Sequence, residues 1–271
     1  MPYAKPFYRN YRGLNYGPND GYSSWGYIID HEYAKDPEHY VRALLLIQED
    51  LKQIFEFIEP SDESRLAYSY RIHALFMRTC IEIEANFKAI LAENKFTPRR
   101  NTQLGMIDYR KVDATHHLST FEVVLPVWNG PAPILRPFHP WKALRGLPSS
   151  PVGTKPVGVK LPWYSAHNES KHDRHVKFKQ ANLGNLIQAT AALLVLVSAQ
   201  FHEEEFSAGH SSLALSGPDY EYHPMKPSIG SLFRITEPDD WLVDEMYAFD
   251  WSKLKAQTDR FAKFDYDAIP W

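Results

Sequence analysis

Thirteen residues, Trp163 to His175, hold the densest group of side chains able to do chemistry in this 271-residue chain. They read Trp163-Tyr164-Ser165-Ala166-His167-Asn168-Glu169-Ser170-Lys171-His172-Asp173-Arg174-His175. Carried on one continuous helix, His167, Lys171, Arg174 and Phe178 share a face. Asn168, His172, His175 and Lys179 share the next one. Three histidines, an asparagine, two cations and two acids then lie within about three turns. Histidine moves protons near neutral pH, and cations stabilise phosphate charge, so the set suits acid–base attack on a phosphodiester. A solvated helix start, whose polar side chains only cap and pair, fits the same composition.

Other groups carry less. Arg110 and His116 have five residues between them, in a proline-rich context without a long apolar helix behind them. Twelve histidines invite a metal reading at His116-His117, at His167/His172/His175 and at His202-Glu203. His172 and His175 could share an ion, but zinc wants a third ligand that the pattern does not supply. No metal and no cofactor is therefore expected. The one cysteine, Cys80, falls on an apolar helical stripe and reads as core. There is no glycine-rich phosphate loop and no Gly-x-Ser-x-Gly elbow.

The elements that must position the cluster come from hydrophobic period. Asp36-Pro37-Glu38 is a helix start, with Asp36 as N-cap and proline at N1. Val41, Leu44, Ile47, Leu51, Ile54, Phe55 and Ile58 follow at helical spacing, and Glu59-Pro60 stops them. A second helix is expected from Ser61-Asp62-Glu63 to about Asn94, striped by Ile72, Phe76, Thr79, Cys80, Ile83, Phe87, Ile90 and Leu91. Glu84 and Lys88 form a favourable i,i+4 pair, and Glu84, at the edge of that stripe, should be partly buried and want Lys171 or Arg174. A third helical stretch over about 164–205 is apolar nearly all round and should lie at the centre. Between them, ten prolines fall in Pro98–Pro162. Phe121–Leu125 and Ser231–Ile235 are candidate strands. Trp128, Phe138, Trp141, Trp163 and Tyr164 either pack this insertion or stack bases. Arg99, Arg100 and Arg136 would add phosphate contacts only in the second case.

The expected organisation is one domain: an arm (1–35), a helical pair (36–95), a proline- and aromatic-rich insertion (96–162), the polar helix start with its buried helix (163–205), and a wrapping extension (206–271). The fold class is mainly α, a helical bundle with an inserted irregular, short-strand segment.

A helical pair followed by a polar-to-apolar helix with Asn-x-x-x-His at its start resembles the HEPN superfamily. Its members are helical bundles, often dimeric, and many are metal-independent ribonucleases of toxin or antiphage systems. Their motif is Arg, four to six residues, then His, often with Asn directly after the Arg. Here His172 matches the motif histidine and Asn168 the polar position, while His167 stands where the family has Arg. The resemblance covers about 60–95 and 160–205. It implies His172 as acid–base residue, Asn168 to orient, and His167 beside them in the site. Lys171, Arg174, His175 and Arg78 would hold phosphate, supported by Glu84, Trp163 and Tyr164. It further implies a homodimer acting on RNA, or a non-catalytic module that binds RNA, a nucleotide or a protein. The segment is also similar to uncharacterised bacterial proteins that carry Tyr-Asn-x-x-Lys-His-Asn-Arg.

Composition bounds these readings. Hydrophobic residues are 44%, charged residues 23% and net charge is −3, which excludes a disordered chain and gives no bulk electrostatic case for nucleic acid. One cysteine excludes an internal disulfide. The N-terminus lacks the apolar core of a secretion signal, and the longest apolar run, Ala189–Ala199, is too short to span a bilayer. A cytoplasmic protein without membrane contact is expected.

Overall fold

The computed structural model describes residues 1–15, 26–98, 104–131, 133–145, 160–202 and 225–269. Within them the protein is mainly helical. In chain order come α1 (Pro37–Phe55), α2 (Tyr70–Glu93), α3 (Met106–Tyr109), α4 (Asp113–His116), β1 (Glu122–Val124), α5 (Pro162–His172), α6 (Arg174–Lys177), α7 (Leu183–Phe201), β2 (Lys226–Pro227), β3 (Arg234–Thr236) and α8 (Trp251–Leu254).

The central position expected for the apolar helix is observed. In α7, 16 of 19 residues are buried, and the helix packs on α2, α1 and α5. Each fully buried Leu, Ile or Val there is worth about 1.5–3 kcal/mol, so α7 carries much of the bundle's cohesion. Among the described residues it is the one helix long and apolar enough to cross a membrane, and 83% of that window is buried inside the fold. Burial on all sides accounts for its composition. Cys80 is buried in the same core, and burial pushes its thiol pKa up.

Three helix boundaries differ from the sequence expectation. First, α2 begins at Tyr70 and not near Ser61. Residues 61–69 are claimed by tertiary pairing: Ser61 bridges to Asn129, and the backbone N–H groups of Leu183 and Gly184 donate to Ala67 and Arg65. Ser69 then caps the helix, its Oγ accepting from Ile72 N at 3.2 Å. Second, the stretch expected as one helix over 164–205 is broken. Asp173 leaves helical geometry (φ −128°, ψ 56°), a short turn follows over 178–180, and Asn182 recaps the chain by accepting from Asn185 N. Third, α1 starts at Pro37 with Asp36 at its N-cap as expected, but Asp36 is left-handed (φ 48°) and gives no side-chain cap, and the helix stops at Phe55, short of Ile58. Glu203–Glu205, expected as the exposed end of the third stretch, lie outside the described residues.

The insertion and the C-terminal segment meet in a small antiparallel sheet of order β1-β3-β2, with Val123 opposite Ile235. The strand expected at Phe121–Leu125 is present, and the one expected at Ser231–Ile235 is displaced to Arg234–Thr236. The arm lies along the bundle through bridges Tyr3↔Tyr247 and Phe7↔Ala262. Arg9 anchors it. Fully buried, Arg9 donates Nε to Glu93 Oε1 at 2.7 Å and Nη1 to Gln200 Oε1 at 3.1 Å, and stacks over Tyr40.

Candidate functional site

The break at Asp173 decides the site. It ends the single register that would have aligned His167, Lys171, Arg174 and Phe178, and it turns the chain through a bend between α5 and α6. Two groups result, one inside and one outside.

The inner group lies between α2 and α5. His167 is buried, its ring edge-on to Phe76 at 6.1 Å and near Tyr164 at 5.3 Å. Burial, with the nearby charge of Lys171, lowers its pKa to about 4, so the ring is neutral at pH 7 and offers no cation to a phosphate. Its Nδ1 and the Nε2 of His73 on α2 are both buried without a hydrogen-bond partner among the described residues. Tyr164 donates its hydroxyl to Glu84 Oε1 at 2.9 Å, and Lys88 sits 3.5 Å from Glu84 Oε2. Burial and this carboxylate raise the Tyr164 phenol well above its usual range. Glu84 is thus partly buried and paired with Lys88 as expected, but its second partner is Tyr164, not Lys171 or Arg174. The reason is reach: Lys88 is one turn along the same helix, while Arg174 follows the bend.

The outer group is the bend itself. Lys171, His172, Arg174, His175 and Lys179 are all exposed. With Lys177, four cations stand here against two acids, Glu169 and Asp173, in a chain whose net charge is −3. Lys177 lies 3.6 Å from Glu169. Asn168 and His172 share the outward face of α5 at i, i+4, and Asn168, with Ser165 and Tyr164, lines a cavity of about 310 Å³ beside the helix.

Aromatic rings border the bend. Phe178 contacts Tyr70 at 4.8 Å, His73 at 5.4 Å and Tyr68 at 5.7 Å between ring centroids. Tyr70 is 73% exposed and Tyr68 54%. The first turn of α2, which carries Tyr70, holds no acid. Sequence reasoning missed this patch because Tyr68 and Tyr70 lie more than a hundred residues from Phe178.

The remaining expected site residues fall elsewhere. Arg78 Nη1 donates to Asp50 Oδ2 on α1 at 2.7 Å. It stands two residues from Cys80, about 200° around α2, on the flank away from α5. Trp163 is buried and donates Nε1 to Pro137 O at 3.0 Å, which pins the insertion to α5. Phe138 and Trp141 pack around Phe87, Trp128 carries Arg65 over its ring at 4.9 Å, and Arg136 pairs with Glu122. These rings pack; they do not border the bend. Arg99 and Arg100 lie outside the described residues.

The Arg110/His116 pair is interior. His116 Nε2 donates to Arg9 O at 2.7 Å, and burial lowers its pKa to about 3. His117, its neighbour, belongs to a second polar cluster that no sequence pattern announced. Its Nδ1 lies 2.7 Å from Asp240 Oδ1, its ring stacks on Trp241 at 3.6 Å, and its backbone is left-handed (φ 51°). Arg145 reaches Asp240, Ser119, Thr120 and the fully buried Asp113. Burial lowers His117 to about 4, while hydrogen bonds from His117, Thr120 and Arg145 overcome burial to hold Asp240 well below the usual carboxylate range. The cluster ties the insertion to the C-terminal segment. Among the described residues no group of three or more His, Cys, Asp or Glu is placed to hold a metal ion.

No protein-family model matches the chain, and neither a curated protein nor a solved structure matches it.

Proposed function

We propose that the protein binds single-stranded RNA across the α5–α6 bend and cleaves it without metal, as a HEPN-like ribonuclease. The observation that carries the binding is the juxtaposition of exposed cations with an aromatic patch: Lys171, Arg174 and Lys179 lie on the segment that carries the half-buried Phe178, and Phe178 meets the exposed Tyr68 and Tyr70. Cations track a phosphate backbone, and rings accept unstacked bases of any sequence. His172 supports the chemistry, since it is exposed, one turn from Asn168, next to Lys171 and two residues before Arg174. It would take the proton of a ribose 2′-hydroxyl as that oxygen attacks phosphorus. The bond to the 5′-oxygen breaks, and that oxygen takes a proton from solvent. Lys171 and Arg174 stabilise the pentavalent phosphorus. Two copies would act together, as the family resemblance implies.

One observation favours a non-catalytic RNA-binding module instead. The position of the family's arginine is held by His167, which is buried and neutral, so any phosphate contact must come from the bend.

The test is fluorescence anisotropy with a 12-nucleotide oligouridylate at 50 mM salt, followed by cleavage of the same strand with chelator present. Wild type should bind and cleave; His172→Ala should bind and not cleave. Binding without cleavage by wild type selects the non-catalytic module. No binding by wild type refutes both readings.

A further inference from the structure

A groove of about 290 Å³ between α1 and α2 lies outside the site described above, and Arg71 and Arg78 line it. Arg71 is exposed and has no ion-pair partner among the described residues. Arg78 is held by Asp50, but that pair is exposed, with side chains 41% and 44% accessible. Such a pair contributes little, so an arriving anion displaces Asp50 at small cost. The two arginines stand seven residues apart, two turns on one flank of α2, with guanidinium groups suited to bidentate phosphate contact.

The helix also shows how one strand would reach this groove from the bend. Each residue turns about 100° around α2. His73, which packs on Phe178, faces α5. Tyr70 faces solvent about 60° further round, Ala74 about 40° beyond that, and Arg78 and Arg71 about 40–60° further still. Ala74 lines the groove, and its side chain is too small to block passage. A base stacked at Tyr70 therefore leaves its neighbouring phosphates heading over Ala74 towards the two arginines.

We infer that the α1–α2 groove is a second phosphate subsite, with Arg71 and Arg78 as ligands and Asp50 as an internal competitor, for the strand held at the α5–α6 bend. This rests on the RNA reading of the bend.

The test compares labelled oligouridylates of 4 and 12 nucleotides on wild type, Arg71→Ala and Asp50→Asn, all in the full chain. Arg71→Ala should weaken the 12-mer about tenfold, as expected for loss of a charge-assisted contact. It should lower the slope of log affinity against log salt by about 0.7, and leave the 4-mer unchanged. Asp50→Asn removes the competitor and should tighten the 12-mer; an ion pair kept only for folding would yield no gain. Wild type that binds both lengths with equal affinity overturns the groove subsite, as does a 12-mer affinity unmoved by both substitutions. Wild type that binds neither length refutes the bend as an RNA site, a result separable from failure of the groove alone.

Discussion

Buried neutral histidines make this fold acid-labile well above the carboxylate range. His116 and His167 are almost wholly inaccessible, and burial lowers their pKa values to about 3 and about 4. In the unfolded chain both return to about 6.5. The unfolded state then binds more protons below pH 6.5, so stability falls as pH drops through that value. At pH 5 each unfolded imidazole is almost fully protonated and each folded one almost fully neutral. The loss is about 2 kcal/mol per histidine, or about 4 kcal/mol for the two, a large part of the ~5–15 kcal/mol typical of a domain. His117 is lowered in the same direction. Asp113, raised by burial, offsets part of the loss once pH nears the carboxylate range. The assay is urea unfolding at pH 7, 6 and 5, read by tryptophan fluorescence. His167→Phe keeps a ring against Phe76 and should remove one proton from the dependence, about 1.4 kcal/mol per pH unit near pH 5. Reading the slope separates this from any packing cost of the larger ring. A stability that changes by less than about 1 kcal/mol between pH 7 and 5, or a His167→Phe slope equal to wild type, would refute the reasoning.

Two further outcomes follow from the geometry. Arg145→Met strands Asp113 as a buried charge and should cost about 3–5 kcal/mol in thermal or urea unfolding, with Asp113→Asn recovering part of it in the double variant. Tyr70→Ala should weaken oligouridylate binding by about 1–3 kcal/mol without altering its salt slope, whereas Lys171→Ala should lower that slope by about 0.7, both read by anisotropy over 50–200 mM salt.

How much of the site was legible depended on how local its causes are. The cluster at Trp163–His175 stood out because polar residues at helical spacing directly precede an apolar run, and both features lie within one short window. Glu84 could be placed at a stripe edge for the same reason. Its partner Tyr164 could not, because the distance between α2 and α5 is set by packing of Phe76 against His167. The missed helix start at Tyr70 has the same origin. Ser61-Asp62-Glu63 is a sound local start signal, and pairing with residues 128–129 and 182–184 overrides it.

Period and composition alone determined that long helices carry the stripes of α1, α2 and α7, though not their bounds, together with the burial of Cys80, the central place of α7 and the absence of an internal disulfide, since each follows from side-chain spacing or from a count. Tertiary structure alone decided that the chain bends at Asp173, that His167 goes inside while His172 stays out, that Phe178 meets Tyr68 and Tyr70, and that His117 finds Asp240 across 123 residues. Those outcomes depend on which surfaces meet, and burial energy summed over the whole core settles that, beyond the reach of any local pattern.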